Sequence, residues 1–321
     1  MTERDGLRLL VDHLAEGASC HLTRFYGWQV TSIRGGANNL IYRATDTTRD
    51  LAVKFTLRDE RSRAEREFLA LSALRQLSLH LSPAPVWLET ERHSYPVVVQ
   101  EWLKGEVLTA PPQTDVAWGR LLYFYTKVHS VTPAMTHLPI REAVFGATSP
   151  EEAKQLVLAQ ADLIPQRARP TDLRALLKAL VSARIPDLNG RRALCHVDPN
   201  VGNFVVCSEG LRAVDWEGSG WSDPAFEVAN LMTHPAYLSI TRTSWEWVVD
   251  TYAHLSRDGD VEARIRAYYP LLAIFWVTRL ARALYEVPRG LDQRLVQRPD
   301  NWQEDAARKY QHYLELAESS L

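Results

Sequence analysis

Apolar residues recur at Leu7, Leu10, Val11 and Leu14, a helical spacing that gives way to a different pattern after about residue 24. The stretches "WQVTSIRG", "LIYRAT" and "LAVKFTL" that follow are short and rich in Val, Ile, Thr and aromatic residues. Gly35-Gly36 and the polar run from Asp46 to Asp50 separate them, which predicts an antiparallel meander. Residues 61–78 put Phe68, Leu71, Leu74 and Leu77 on one face with charges opposite, so an amphipathic helix is expected to pack on that sheet. "APVWLE" and "YPVVVQEW" supply two further strands. Gly105 and the stretch "TAPPQT" at 109–114 then break the pattern, and helical periodicity dominates to the C-terminus, apart from a hairpin expected over 204–215.

Helices are expected over 115–131, from Ser149, and near 171–184, 243–256, 260–286 and 301–319. Ser149 reads as an N-cap, with Pro150 at the first helical position and Glu152 completing a capping box. The chain thus divides near residue 103 into a strand-rich part, 1–103, and a mainly helical part, 104–321. No internal repeat or low-complexity segment interrupts either.

Composition narrows the class. At 321 residues and 46% hydrophobic, the chain is long enough for two lobes. Thirty-seven Lys and Arg against 39 Asp and Glu leave a formal charge of -2 without a run of like charge, which argues against a nucleic-acid or membrane-surface partner. Cys20, Cys195 and Cys207 are an odd number without CxxC spacing, and this favours a reducing compartment over a disulfide framework or a zinc site. Glu3, Asp5 and Asp12 stand where a signal peptide is basic and apolar, and the longest apolar block, 268–277, is too short to span a bilayer. A cytoplasmic protein is the expectation.

The candidate chemistry lies in "LCHVDPNVGNFVV", 194–206. Asp198 and Asn203 are five residues apart, and Asp215 follows 17 residues after Asp198, across a strand, a turn and a second strand. A hairpin returns its end to its start, so the Asn203 amide oxygen and the Asp215 carboxylate can converge on one Mg²⁺, a cation that takes oxygen ligands and shares them with substrate phosphates. Asp198 is then free to orient a hydroxyl, the division of labour that phosphoryl transfer requires. Singly, each of these residues also fits an ordinary turn.

The first part of the chain supplies what the turn reading lacks. Gly35 and Gly36 lie between two strands, where backbone could approach phosphates without a Cβ in the way. Lys54 sits inside the apolar strand "LAVKF", a costly position for an ammonium unless it faces a carboxylate or a phosphate. Glu67 on the next helix is the candidate partner.

With these residues in this order, the chain resembles the aminoglycoside phosphotransferase and choline kinase-like family over nearly its whole length. "GGANNLIYR" resembles the family's nucleotide loop, with Gly35, Gly36, Asn39 and Tyr42 at the matching positions. Lys54 and Glu67 match the phosphate-binding Lys and its helical partner, with Glu65 as the competing choice. "VVVQEWLKGEVL" resembles the hinge, which implies that adenine pairs with backbone groups of Glu101, Trp102 and Leu103. "HVDPNVGN" matches the HxDxxxxN loop, with Asp198 as catalytic base and Asn203 as metal ligand. "VDWEGSGWSDPAFEVANL" matches the segment whose Asp, here Asp215, holds metal. Val197 and Pro199 depart from the Gly and Leu-like residues usual in that loop.

The resemblance implies an α+β, bilobal protein-kinase-like fold: a small antiparallel β N-lobe with one helix, which binds nucleotide, and a larger, mainly helical C-lobe for catalysis and substrate. It also implies ATP or GTP and Mg²⁺ as cofactors, a small-molecule hydroxyl acceptor, and a monomer or homodimer. His196 reads as a structural brace of the loop, Asp223 before Pro224 as a helix cap, His129 as packing, and Glu217 is undecided.

Two rivals are weighed. A nucleotide-binding pseudokinase with a regulatory role is disfavoured because each catalytic position is filled, and a protein kinase because Trp216 and Glu217 replace a DFG triplet. Residues 231–321 carry 12 Asp and Glu against 11 Lys and Arg, so nothing marks a site for a polycation. Their many aromatic residues, among them Trp245, Tyr252, Tyr268 and Trp276, fit either a cage for a quaternary ammonium or helix packing.

Overall fold

The computed structural model describes residues 3–16, 23–33, 39–292 and 298–320. Helix α1 (Glu3–Ala15) opens the chain and is followed by strands β1 (Thr23–Phe25), β2 (Trp28–Ile33), β3 (Asn39–Thr45) and β4 (Asp50–Thr56). Helix α2 (Arg63–Gln76) comes next, then β5 (Pro85–Glu89) and β6 (Val97–Glu101). The strands form one antiparallel sheet in the order β1-β2-β3-β4-β6-β5. The expected meander is therefore present, with β6 inserted beside β4 and β5 at the edge.

Leu7, Leu10, Val11 and Leu14 of α1 are all buried. They pack on Trp28, Val30, Val53, Val97 and Val99 from one face of the sheet, and each buried leucine contributes about 2 kcal/mol. The opposite face carries α2, so two helices, not one, flank the sheet. The α2 face differs from expectation. Its buried positions are Arg63, Ala64, Glu67, Ala70, Leu71, Ala73 and Leu74, whereas Phe68 and Leu77 are only half-buried. Periodicity assigned charges to solvent, but Glu67 and Arg63 turn inward because Glu67 meets Lys54 of the sheet beneath and Arg63 meets Glu217 beyond the hairpin.

Strand β7 (Gly105–Val107) leaves the first sheet and pairs with β9 (Phe204–Cys207), which forms a hairpin with β10 (Gly210–Ala213). Helices α3 (Asp115–Val128), α4 (Pro150–Asp162) and α5 (Thr171–Ser182) precede β8 (Ala193–Cys195). After the hairpin, β11 (Gly220–Ser222) pairs with β8, and α6 (Pro224–Thr233), α7 (Arg242–Ser256), α8 (Val261–Glu286) and α9 (Trp302–Glu318) complete the chain. The very short strands β1, β7, β8 and β11 were not legible as periodic runs.

Ser149 caps α4 by accepting from the Glu152 N–H at 3.2 Å. Glu152 returns to the Thr148 N–H at 2.7 Å rather than to the Ser149 N–H that a capping box would use. Helix α8 runs through Pro270, and Leu271, Leu272, Ile274 and Val277 beyond it are buried against neighbouring helices, which offsets the lost backbone bond. Among the described residues no helix is long and apolar enough to cross a membrane.

Candidate active site

The loop after β8 carries His196, Val197 and Asp198. Val197 has φ 62°, a left-handed conformation that costs a β-branched residue about 1–3 kcal/mol. Three contacts hold it there. The Val197 N–H donates to Glu227 Oε1 at 2.6 Å, the His196 N–H to Glu227 Oε2 at 3.2 Å, and Asn230 Nδ2 donates to the Val197 carbonyl at 3.0 Å. Glu227 and Asn230 project from α6, so this helix fixes the backbone on which Asp198 stands. Asp198 itself is half-buried.

Glu227 is fully buried and also bonds His129 Nε2 at 2.7 Å, while His129 Nδ1 meets Tyr252 Oη at 2.6 Å. Burial alone pushes the Glu227 carboxyl up. The hydrogen bond from His129, the two nearby imidazoles and the Val197 N–H outweigh burial and hold it below the usual carboxylate range. His129, Cys195 and Glu227 offer ligand atoms within 4.8 Å of one another. Because both His129 nitrogens and both Glu227 oxygens are already paired, this cluster is a hydrogen-bonded brace. His196 is a brace as well: it is buried and its Nε2 meets the Val214 carbonyl at 2.8 Å.

Asn203 closes a short turn at 201–203, and its Nδ2 donates to the Asp198 carbonyl at 3.3 Å, so its amide oxygen is the atom that could hold a metal ion. The Asn203 carbonyl accepts from the Val214 N–H at 2.8 Å. This bond ties the start of the β9–β10 hairpin to its end and sets Asp215, at φ 64°, beside the loop.

Lys54 links the two sheets. Its Nζ donates to Glu67 Oε2 at 2.7 Å and to Asp215 Oδ1, and lies 3.6 Å from Glu217 Oε2. Lys54 and Glu67 are 3% and 0% exposed, burial that an ammonium tolerates only when paired. Burial acts to lower the Lys54 pKa, but Asp215, Glu67 and Glu217 together outweigh it and raise it well above the ordinary value. Glu67 is thus the partner of Lys54; the competing Glu65 bonds Arg141 at 3.1 Å.

Glu217 enters the same cluster. It accepts from Asn39 Nδ2 at 2.9 Å and from Arg63 Nη1. Asn39 begins β3 and is 3% exposed. Gly35 and Gly36 lie outside the described residues.

At the bend after β6, the Glu101 N–H bonds the Ala84 carbonyl and the Trp102 N–H the Asp50 carbonyl, both at 2.9 Å. The Trp102 ring packs under the Arg43 guanidinium, 4.9 Å from its centroid. Leu103 is half-buried.

Of the aromatic residues in the C-terminal helices, Tyr252 bonds His129 and Tyr268 bonds Asp223 at 3.1 Å. Trp245 and Trp276 are also buried. These rings serve packing, as their helical spacing allowed. Asp223 caps α6 by accepting from the Ala225 N–H at 3.1 Å and pairs with Arg264 at 2.8 Å.

A family model described as the phosphotransferase enzyme family matches residues 29–268, a span that contains every site residue above. The chain belongs to this family. Among curated relatives it is 28% identical over 190 residues to a thiamine kinase of Escherichia coli O6:K15:H31, an alignment covering 59% of this chain and 57% of that protein's length. Among solved structures it resembles choline kinase LicA from Streptococcus pneumoniae, with a TM-score of 0.63 at 18% identity over 98% of this chain and 99% of that one. It also resembles a spectinomycin phosphotransferase in complex with ADP and spectinomycin, with a TM-score of 0.61 at 12% identity over 98% of both chains. The family fold is the bilobal kinase-like arrangement expected from the motifs.

Sequence reasoning missed Glu227, Asn230 and Arg63. Glu227 had a signal, being the one acid in the otherwise apolar helix "PAFEVANLMT". Arg63 had none, because an arginine in the first turn of a helix is ordinarily solvated.

Proposed function

We propose that this member of the family is an ATP-dependent, Mg²⁺-requiring kinase that transfers the γ-phosphoryl group to a hydroxyl of a small molecule. One observation carries the reading: Lys54 Nζ is bonded at once to Glu67 on α2 and to Asp215 at the end of the hairpin. This joins a phosphate-binding cation to a metal-binding carboxylate. Asp198 accepts the acceptor's hydroxyl proton and aims its oxygen. Lys54, kept in place by Glu67, holds the phosphates together with Asn39, Gly35 and Gly36, and adenine lies against the bend at Glu101, Trp102 and Leu103.

The donor set fits magnesium. The Asn203 amide oxygen and the Asp215 carboxylate are hard oxygen ligands, two in number, as suits a cation that keeps waters and substrate phosphates for its other positions. When bound, Mg²⁺ would supply charge neutralisation on those phosphates. We propose a division of the chain into a nucleotide-binding lobe, 1–103, and a catalytic and acceptor-binding lobe, 104–321, acting in the cytoplasm as a monomer or homodimer without a nucleic-acid or membrane partner.

The acceptor class is a hydroxylated small molecule such as thiamine, choline or another amino alcohol, or an aminoglycoside. Nucleotide turnover with each of these, with Mg²⁺ and with EDTA, tests the reading. Magnesium-dependent turnover stimulated by one acceptor supports it, and Asp198→Ala should lower that turnover by at least about a hundredfold while still binding nucleotide. Wild-type turnover by Asp198→Ala would refute the assignment.

A further inference from the structure

The segment before α5 gathers arginines around an opening that the kinase site does not use. The Ala168 N–H donates to the Pro165 carbonyl at 2.8 Å and the Arg169 N–H to the Gln166 carbonyl at 3.3 Å, which winds Gln166, Arg167 and Arg169 into one short turn. Arg174 and Leu177 stand three residues apart on α5, and so on one face of it. These five residues line an open cleft of about 430 Å³, a volume that suits a small molecule.

Charge in this cleft is unbalanced. Arg169 is held in place, since its Nε donates to the Ile164 carbonyl and its Nη2 to Asp162 Oδ1, both at 2.9 Å. Asp162 is 75% exposed, and a pair so open to water neutralises little. Arg174 Nη2 donates to Thr171 Oγ1 at 3.1 Å, and neither Arg174 nor Arg167 pairs with a carboxylate among the described residues. Asp172, in the first turn of α5, is already taken: it accepts from the Leu173 N–H and from Tyr310 Oη, both at 2.7 Å. Three guanidinium groups around one opening repel one another, a cost that an anion between them removes.

We propose that this cleft binds the phosphate group of a small organic phosphate. None of the nucleotide, metal or catalytic residues lines it, so the inference does not depend on the kinase reading. The planar forks of Arg167 and Arg174 match phosphate oxygens two at a time, with Arg169 as a fixed third donor. Leu177, 7% exposed at the wall of the cleft, gives the organic part an apolar surface that inorganic phosphate would leave uncovered.

Isothermal titration of phenyl phosphate and of inorganic phosphate, into protein saturated with ADP and Mg²⁺ so that the kinase site is occupied, tests this. Wild-type protein should bind phenyl phosphate at one site and more tightly than inorganic phosphate. The double variant Arg167→Gln/Arg174→Gln should weaken phenyl phosphate by at least about tenfold. Both side chains are exposed, so its Tm without ligand should match wild type. Arg242→Gln, which removes a 94% exposed arginine of α7, should leave binding unchanged. An equal loss in Arg242→Gln would reduce the effect to net charge and overturn the site, as would wild-type affinity in the double variant. Wild-type protein that takes up no phenyl phosphate at millimolar concentration overturns it without any variant. Inorganic phosphate bound at least as tightly as phenyl phosphate overturns the organic part of the assignment.

Discussion

Asp198 stands on backbone that local preference would not choose, since Val197 before it is a β-branched residue at positive φ. The constraint comes from Glu227, whose two oxygens take the N–H groups of His196 and Val197. A glutamine there keeps the volume but must turn an NH₂ toward one of those donors. Glu227→Gln should therefore lower kcat by about tenfold to a hundredfold through misplacement of Asp198, with ADP affinity changed by less than about twofold. Steady-state kinetics beside calorimetry decide the matter: parallel losses in kcat and nucleotide affinity would mean general disruption instead of a misplaced loop.

His234 titrates differently from an exposed imidazole. Burial, assisted by Arg279 and Lys309, lowers its pKa to about 3. Between that value and the ordinary pKa of about 6.5, the unfolded chain holds a proton that the folded one does not, so stability rises with pH across this window and is lost on acidification. His234 Nδ1 accepts from the Ala236 N–H at 3.3 Å, a bond that an asparagine oxygen can replace. His234→Asn should consequently lose less stability than wild type between pH 7 and pH 5. Urea denaturation at both values checks this, and equal losses would show that another group carries the acid sensitivity.

Among the elements, β7 has a tight steric requirement. It is three residues long and exposed, yet it joins the strand-rich sheet to the hairpin that ends at Asp215. Gly105 pairs with Cys207, and a Cβ at Gly105 would overlap the Val206 carbonyl oxygen. Gly105→Ala must part β7 from β9 and should cost about 1–3 kcal/mol, read as a lower denaturant midpoint; an unchanged midpoint would show that the strands separate without penalty. Helix α2 illustrates the opposite case. Its existence followed from periodicity, but its rotation did not. Arg66 Nη1 donates to the Glu142 and Ser219 carbonyls and Arg63 meets Glu217, so contacts with the larger lobe, not apolar spacing, choose which face turns in.

Across the whole molecule, the two lobes meet where one ammonium faces the carboxylates of Glu67, Asp215 and Glu217. A nucleotide with magnesium bound between the sheet and the hairpin should stabilise the fold by about 2.7 kcal/mol at a hundredfold excess over its Kd. The expected rise in Tm for ADP with Mg²⁺ should shrink with EDTA, and Asp215→Asn should abolish the magnesium-dependent part. An identical rise with and without magnesium in wild-type protein would remove Asp215 and Asn203 from the metal role.

The sequence by itself determined the order of elements, because periodicity and turn residues are local properties, and it marked Lys54, Asp198, Asn203 and Asp215, because an ammonium in an apolar strand and acids around a tight loop are conspicuous along the chain. It also carried the family, through spacings that do not depend on packing. Tertiary structure alone decided which glutamate Lys54 takes, that Glu217 joins the same cluster, and that Glu227 braces the loop before Asp198 from 30 residues away. A buried charge reveals its purpose only through its partner, and the partners here lie on elements that meet by packing rather than by sequence proximity.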